Sequence, residues 1–151
     1  MAAQRTTPEP STPALGEFAP VSWAVMQLAH GQRAIAAQRL APLGLFPGQE
    51  IVLAQLWGAE GSSQKELSAV LGLDHSTIAK SVQRLEKAGL VRRERSSLDG
   101  RVTLVMLTDA GRALEAPVRE IWSDLEARWA ELDAADAERF AAVAKSMGRR
   151  P

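Results

Sequence analysis

SQKELSAVLGLDHSTIAKSVQRLEKAG, residues 63–89, is the stretch on which the fold turns. Ser63 and Glu66 stand at the spacing of a capping box, in which hydroxyl and carboxylate each satisfy a free backbone N–H at a helix start. Leu67, Val70 and Leu71 supply the buried side of the short helix that follows, and Gly72 closes it. Only Leu73 separates that glycine from Asp74, an N-cap for a second helix. The second helix buries Ile78, Val82 and Leu85 and ends at Gly89. Two short helices joined by a tight turn containing glycine form a helix-turn-helix unit. Any helical hairpin could use the same turn, so the flanking segments decide.

Downstream the period changes. Leu90 to Arg95 reads as a strand, Ser96 to Gly100 as a turn, and Val102 to Leu107 as a second strand rich in β-branched residues. A hairpin directly after a helix-turn-helix makes a winged unit, expected over about residues 48–107. Thr108 then caps a helix whose stripe is Leu114, Val118, Ile121, Trp122, Leu125, Trp129 and Leu132, at near-heptad spacing. Pro117 should kink that helix near its start. Asp133 begins a last helix with Phe140, Val143, Ala144 and Met147 on one side. Upstream, Val21, Val25, Leu28 and Ile35 suit an amphipathic helix over 21–41, ended by Pro42 and Gly44. Pro47 sits where a first helical turn accepts proline, and Ile51, Val52, Leu53, Leu56 and Trp57 make an apolar helix stopped by Gly58 and Gly61. Residues 1–20 contain Pro8, Pro10, Pro13 and Pro20 among threonines and serine and read as a disordered tail. Residues 21–148 read as one domain, mainly α with a small β-hairpin.

The chain has 151 residues, 46% hydrophobic and 24% charged, enough for one packed domain. Its 18 basic and 18 acidic residues cancel, so only their segregation can point to a partner. Between Ser63 and Arg101 lie eight basic residues (Lys65, Lys80, Arg84, Lys87, Arg92, Arg93, Arg95, Arg101) against five acidic; between Asp109 and Phe140 lie nine acidic against four basic. Phosphate attraction needs the first segment, and DNA would repel the second. The absence of cysteine excludes disulfides, thiolate metal sites and thiol redox sensing. Two histidines, His30 and His75, are too few and too distant for a local histidine metal site. Neither lies in a nucleophile–base arrangement, and there is no phosphate-cradling glycine loop. An enzyme, a metal and a cofactor are therefore not expected. No apolar run reaches the ~18–20 residues of a membrane span, and no signal-peptide pattern opens the chain; the expected location is the cytoplasm.

On the helix from His75 the solvent side carries Ser76, Thr77, Lys80, Gln83, Arg84 and Lys87. Small polar groups at its start permit close approach to base edges, and the longer cations reach bases or phosphates. A solvated face of ordinary charges is the rival reading, and the glycine turn before the helix and the hairpin after it favour the nucleic-acid one. His75 reads equally as a contact to DNA or as a plain exposed residue. His30 reads more readily as exposed or satisfied than as pocket-lining.

Asp99-Gly100-Arg101-Val102-Thr103-Leu104-Val105-Met106-Leu107-Thr108, followed by Asp109-Ala110-Gly111, resembles the wing of the MarR family of bacterial transcriptional regulators. Leu71-Gly72-Leu73, Arg84-Leu85-Glu86-Lys87 and Gly89-Leu90-Val91 are similar to that family's helix-turn-helix and its exit. The resemblance, over about 21–148, implies a homodimer held by helices at about 21–41 and 108–148. It implies a pseudopalindromic double-stranded operator contacted by Gln64, Lys65, His75, Ser76, Thr77, Lys80, Gln83, Arg84, Ser97, Asp99 and Arg101. Arg101 would enter the minor groove, oriented by Asp99; a narrow minor groove is strongly negative and attracts arginine. A purely structural ion pair stiffening the hairpin is the alternative. Where many relatives carry a second cation between these two residues, this chain has Gly100. The dimer interface implied includes Val25, Trp122, Leu125, Trp129, Phe140 and Val143. A small aromatic or phenolic ligand is a further implied partner, with Trp23, His30, Arg33 and Trp57 as candidate lining. The expected function is a ligand-released repressor; an activator of the same fold and a non-enzymatic scaffold are the alternatives.

Overall fold

The computed structural model describes residues 13–59 and 61–148. These fall into two units, up to Ile35 and from Ala36 onward. Most of the tail expected over residues 1–20 lies outside the described residues. Its end differs from expectation: Ala14–Phe18 forms one short helix, α1, beginning after Pro13. Between Pro13 and Pro20 no proline intervenes, and Ala14, Leu15 and Glu17 are good helix formers. Helix α2 covers Pro20–Leu40; Val21, Val25 and Met26 on it are exposed.

In the second unit the end of α2 buries Ala36 and Leu40, and a short 3-10 turn, Ala41–Leu43, ends at Gly44 in the left-handed region. Helix α3 spans Gln49–Trp57. It starts two residues after Pro47, which therefore lies outside the first turn rather than within it. Two side chains take over the entry: Gln49 Oε1 accepts the Phe46 N–H at 2.8 Å and Glu50 Oε2 accepts the Gly48 N–H at 2.7 Å. Both residues are buried, so these bonds satisfy groups that water cannot reach.

Strand β1, Ser62–Ser63, leads into α4, Gln64–Leu71, and then α5, His75–Lys87. Strands β2, Val91–Arg95, and β3, Thr103–Leu107, pair antiparallel from Val91↔Leu107 to Arg95↔Thr103. β1 adds to the other edge of β3, giving the order β1-β3-β2. Leu53, Leu56, Leu67, Ile78, Val82, Leu85 and Val105 form the core. Val70 is 63% exposed and does not belong to it. Leu67 is the one fully buried residue of α4, and Leu71 one turn on is half-buried.

The C-terminal helix is not continuous. α6, Asp109–Ala113, is capped by Thr108, whose hydroxyl accepts the Gly111 N–H. The chain breaks at Leu114 and resumes as α7, Glu115–Ala127. Pro117 explains the position: it offers no N–H to the Ala113 carbonyl and its ring crowds that oxygen, so the fault lies three to four residues upstream. A 3-10 turn, Arg128–Glu131, precedes α8, Ala134–Met147, capped by Asp133. Trp129 stacks on Phe140 with ring centroids 5.4 Å apart. Leu125, expected at a subunit interface, is only 5% exposed and packs within the protomer. The apolar residues of α8 differ: Phe140 is 42% exposed, Val143 55% and Met147 82%.

Candidate nucleic-acid interface

The turn between α4 and α5 is held by backbone geometry and two side chains. Gly72 adopts φ +63°, a conformation that other residues rarely take. Ser68 donates its hydroxyl to the Leu73 carbonyl across the turn. At the start of α4 the capping box is complete: Ser63 Oγ accepts the Glu66 N–H, and Glu66 Oε2 accepts the Ser63 N–H at 2.7 Å. The Ser63 backbone N–H first, and then the Ser63 hydroxyl, which donates to Oε2 at 3.0 Å, hold the Glu66 carboxyl below its ordinary range.

Asp74 does more than cap α5. Its Oδ1 accepts the Thr77 N–H at 2.9 Å and the Ser76 hydroxyl at 2.6 Å, while Oδ2 accepts the Thr77 hydroxyl at 2.6 Å. The Ser76 hydroxyl, then Thr77, pull its carboxyl far below the usual aspartate range. The first turn of α5 is therefore tied to one ionised carboxylate. His75, Ser76, Thr77, Lys80, Gln83, Arg84 and Lys87 are all exposed, while Ile78, Val82 and Leu85 hold the opposite side in the core. Gln64 is half-buried and Lys65 exposed at the start of α4.

In the hairpin, Ser96 Oγ accepts the N–H groups of Leu98 and Asp99 at 3.2 and 3.3 Å, and the Val102 N–H donates to the Asp99 carbonyl. Asp99 Oδ1 accepts the Arg101 backbone N–H at 2.9 Å. No ion pair between the Asp99 carboxylate and the Arg101 guanidinium occurs among the described residues. Asp99 thus orients the wing tip through the main chain, and Arg95 donates to the Gly100 carbonyl beside it. Ser97 and Leu98 stand exposed at the apex.

Partnering sorts the basic residues. Arg92 pairs with Glu94 at 2.6 Å and donates to the Leu107 carbonyl, and Arg93 pairs with Glu86 at 3.5 Å. The side chains of Lys65, Lys80, Arg84, Lys87 and Arg101 make no ion pair or hydrogen bond among the described residues. Three of the acidic residues nearby, Glu66, Asp74 and Asp99, are occupied by backbone N–H groups. The arrangement presents free cations on α4, α5 and the wing, with hydroxyls at the start of α5. Sequence reasoning named all of these residues but missed that Asp74 organises Ser76 and Thr77; the D-x-S-T spacing was the available signal.

The base of the hairpin is clamped. Thr108 donates its hydroxyl to the Gly89 carbonyl at 2.7 Å and its N–H to the Leu90 carbonyl at 3.1 Å, and Trp57 Nε1 donates to the Gly111 carbonyl at 3.0 Å. Half-buried Trp57 also borders two open depressions. One of about 610 Å³ is shared with Met106 and Arg112, and one of about 500 Å³ is shared with Val118 and Trp122. Of the other candidate ligand-lining residues, Trp23 is half-buried and His30 and Arg33 are exposed on α2, in the first unit. Among the described residues no group of His, Asp and Glu suits a metal ion, and no helix is long and apolar enough to cross a membrane.

A sequence model of the MarR family matches residues 43–102. The HTH-type transcriptional regulator TtmR of Methylorubrum extorquens is 40% identical over 93 residues, covering 62% of this chain and 48% of that protein. The chain spans about half the length of the curated relatives it matches. A MarR transcriptional regulator from Methanosarcina mazei Go1 superposes with a TM-score of 0.72 at 28% identity, over 87% of this chain and 94% of that one. The transcriptional repressor CouR, solved bound to a 23-mer DNA duplex, gives a TM-score of 0.79 at 25% identity, over 92% of this chain and 100% of that one. The matched winged segment and the shared helical frame agree with the wing and turn residues described above, and over them the chain is similar to regulators of the MarR family.

Proposed function

We propose that the protein is a cytoplasmic transcriptional regulator that binds a specific double-stranded DNA site as a homodimer and acts as a repressor released by a small molecule. The observation that carries this reading is the set of unpartnered cations on α4, α5 and the wing, beside carboxylates consumed by caps. In this reading Lys80, Gln83 and Arg84 meet the major groove, His75, Ser76 and Thr77 approach base edges, and Gln64 and Lys65 meet phosphate. Ser97 and Arg101 meet the minor-groove side, with Asp99 setting the turn. Exposed apolar side chains at Val25, Phe140, Val143 and Met147, with half-buried Trp122 and with Trp129 stacked on Phe140, support association through the terminal helices. Two such units reach successive major grooves only if their spacing matches one turn of DNA, ~34–36 Å. A ligand preferring another spacing lowers operator affinity by the factor by which DNA lowers ligand affinity.

Selection of bound fragments from a genomic pool, followed by a salt titration on the recovered duplex, tests the reading. A specific site should emerge, and log affinity should fall linearly with log salt at about −0.9 per neutralised phosphate. No enriched site, or a flat salt response, would refute it.

A further inference from the structure

The hydrogen-bond geometry at the start of α5 points to a chemical preference within the proposed DNA site, and so rests on that reading. An ionised carboxylate accepts hydrogen bonds and cannot donate them. Asp74 Oδ1 lies 2.6 Å from Ser76 Oγ, and Oδ2 lies 2.6 Å from Thr77 Oγ1. Both hydroxyl protons must therefore point at Asp74, and what the two exposed side chains offer outward is lone pairs. A free serine or threonine can serve either a donor or an acceptor on a base edge, because its hydroxyl rotates. Here the rotation is removed.

We propose that Asp74 is a specificity-determining residue: by holding the Ser76 and Thr77 protons it makes the first turn of α5 a reader of exocyclic amino groups, adenine N6 or cytosine N4. In the major groove these are the base-edge donors, whereas purine N7, guanine O6 and thymine O4 are acceptors. Further along the helix Lys80 and Arg84 carry only donors, while Gln83 between them and His75 in the first turn can each serve either role. Groups fixed as acceptors thus stand at the start of the helix and groups fixed as donors beyond them. The division fixes which way round the half-site is read.

The full-length protein and its selected operator provide the test. Ser76→Ala and Thr77→Ala identify the base pairs at which discrimination is lost. At each adenine found, purine removes the N6 amino group and keeps N7, while 7-deazaadenine does the reverse; 2-pyrimidinone removes the cytosine amino group. In the unmodified protein loss of the amino group should weaken binding roughly five- to tenfold, and loss of N7 less than about twofold. Asp74→Asn keeps an efficient N-cap but offers an N–H₂ donor to one hydroxyl, whose proton becomes free to turn outward. That variant should flatten the preference for amino groups while binding all duplexes somewhat more tightly, because one anion has left the interface. Equal penalties for N7 and amino loss, an unchanged preference in Asp74→Asn, or no loss of discrimination in either alanine variant would overturn the assignment while leaving DNA binding intact. Failure to retain any duplex at low salt would instead remove the regulatory reading, and this inference with it.

Discussion

A methyl group placed on Gly111 tests how tightly the wing is anchored. A Cβ there would lie 2.1 Å from the Leu90 carbonyl oxygen and 3.1 Å from Leu107 Cδ2. Ordinary contact begins at 3.4 Å, so the carbonyl must retreat by about 1.3 Å. That oxygen accepts the Thr108 N–H at 3.1 Å, and such a retreat breaks the bond. Overpacking of this kind costs about 1–3 kcal/mol and the lost hydrogen bond about 1 kcal/mol. Alanine in a helix offsets about 1 kcal/mol of this relative to glycine. Gly111→Ala should therefore destabilise the protein by about 1–3 kcal/mol, with a fall in Tm of about 2–4 °C per kcal/mol for a chain of this size. Urea unfolding followed by tryptophan fluorescence measures it, with protein concentration held constant because self-association raises apparent stability. Gly100→Ala is the control: nothing lies within 4 Å of its added methyl, so it should be neutral or gain about 0.4–1 kcal/mol through the unfolded chain. A Gly111→Ala protein as stable as the unmodified one would refute the anchoring argument.

Lys80→Ala and Arg101→Ala should each reduce the slope of log affinity against log salt by about 0.9, with Arg101→Ala weakening binding mainly at A·T-rich flanks; unchanged slopes in a filter-binding titration would remove both from the interface. Trp122→Ala and Trp129→Ala should loosen self-association, as buried aromatics carry much of an interface, and sedimentation equilibrium reads the change. The Glu66 and Asp74 carboxyls are held below their ordinary values of 4.5 and 3.8. Their stabilisation is complete above those values and is lost as pH falls through the lower folded ones. Tm should stay level from pH 7 to about 5 with respect to these groups and decline below about 4, the decline being shallower in Asp74→Asn. Ser63→Ala should cost about 1 kcal/mol by removing a hydroxyl cap, measured by the same urea assay.

Local chemistry was legible wherever a few residues determine it. Ser63, Asp74, Thr108 and Asp133 each cap a helix as their spacing predicts, because a cap is a contact over three residues. The hairpin strands fell within one residue of expectation. β1 was not visible: Ser62 and Ser63 have no strand preference, and their pairing depends on Val105 and Leu104, some forty residues away. Leu125 fits a subunit-facing stripe by period alone, yet the protomer buries it, because periodicity gives a face and not the identity of what covers it. The break at Leu114 shows the same limit, as Pro117 identifies a fault but acts on the turn before it. At the candidate site the residue types were readable and their couplings were not. Asp99 serves the Arg101 backbone and not its guanidinium, and Asp74 sets the polarity of two hydroxyls.

The bonds joining Gly89, Leu90, Thr108, Gly111 and Trp57 make the hairpin a lever with its fulcrum at the clamped end. Leu107 stands four residue steps from Thr103 along β3, roughly 13 Å at the usual rise of a strand. A tilt of about 5° at the fulcrum displaces the far end of the strands by on the order of 1 Å over that length, and the apex carrying Ser97 and Leu98 by more. A shift of that size is enough to spoil a hydrogen bond. Small repacking around one tryptophan therefore suffices to misplace the tip, with no strand unzipping and no helix melting.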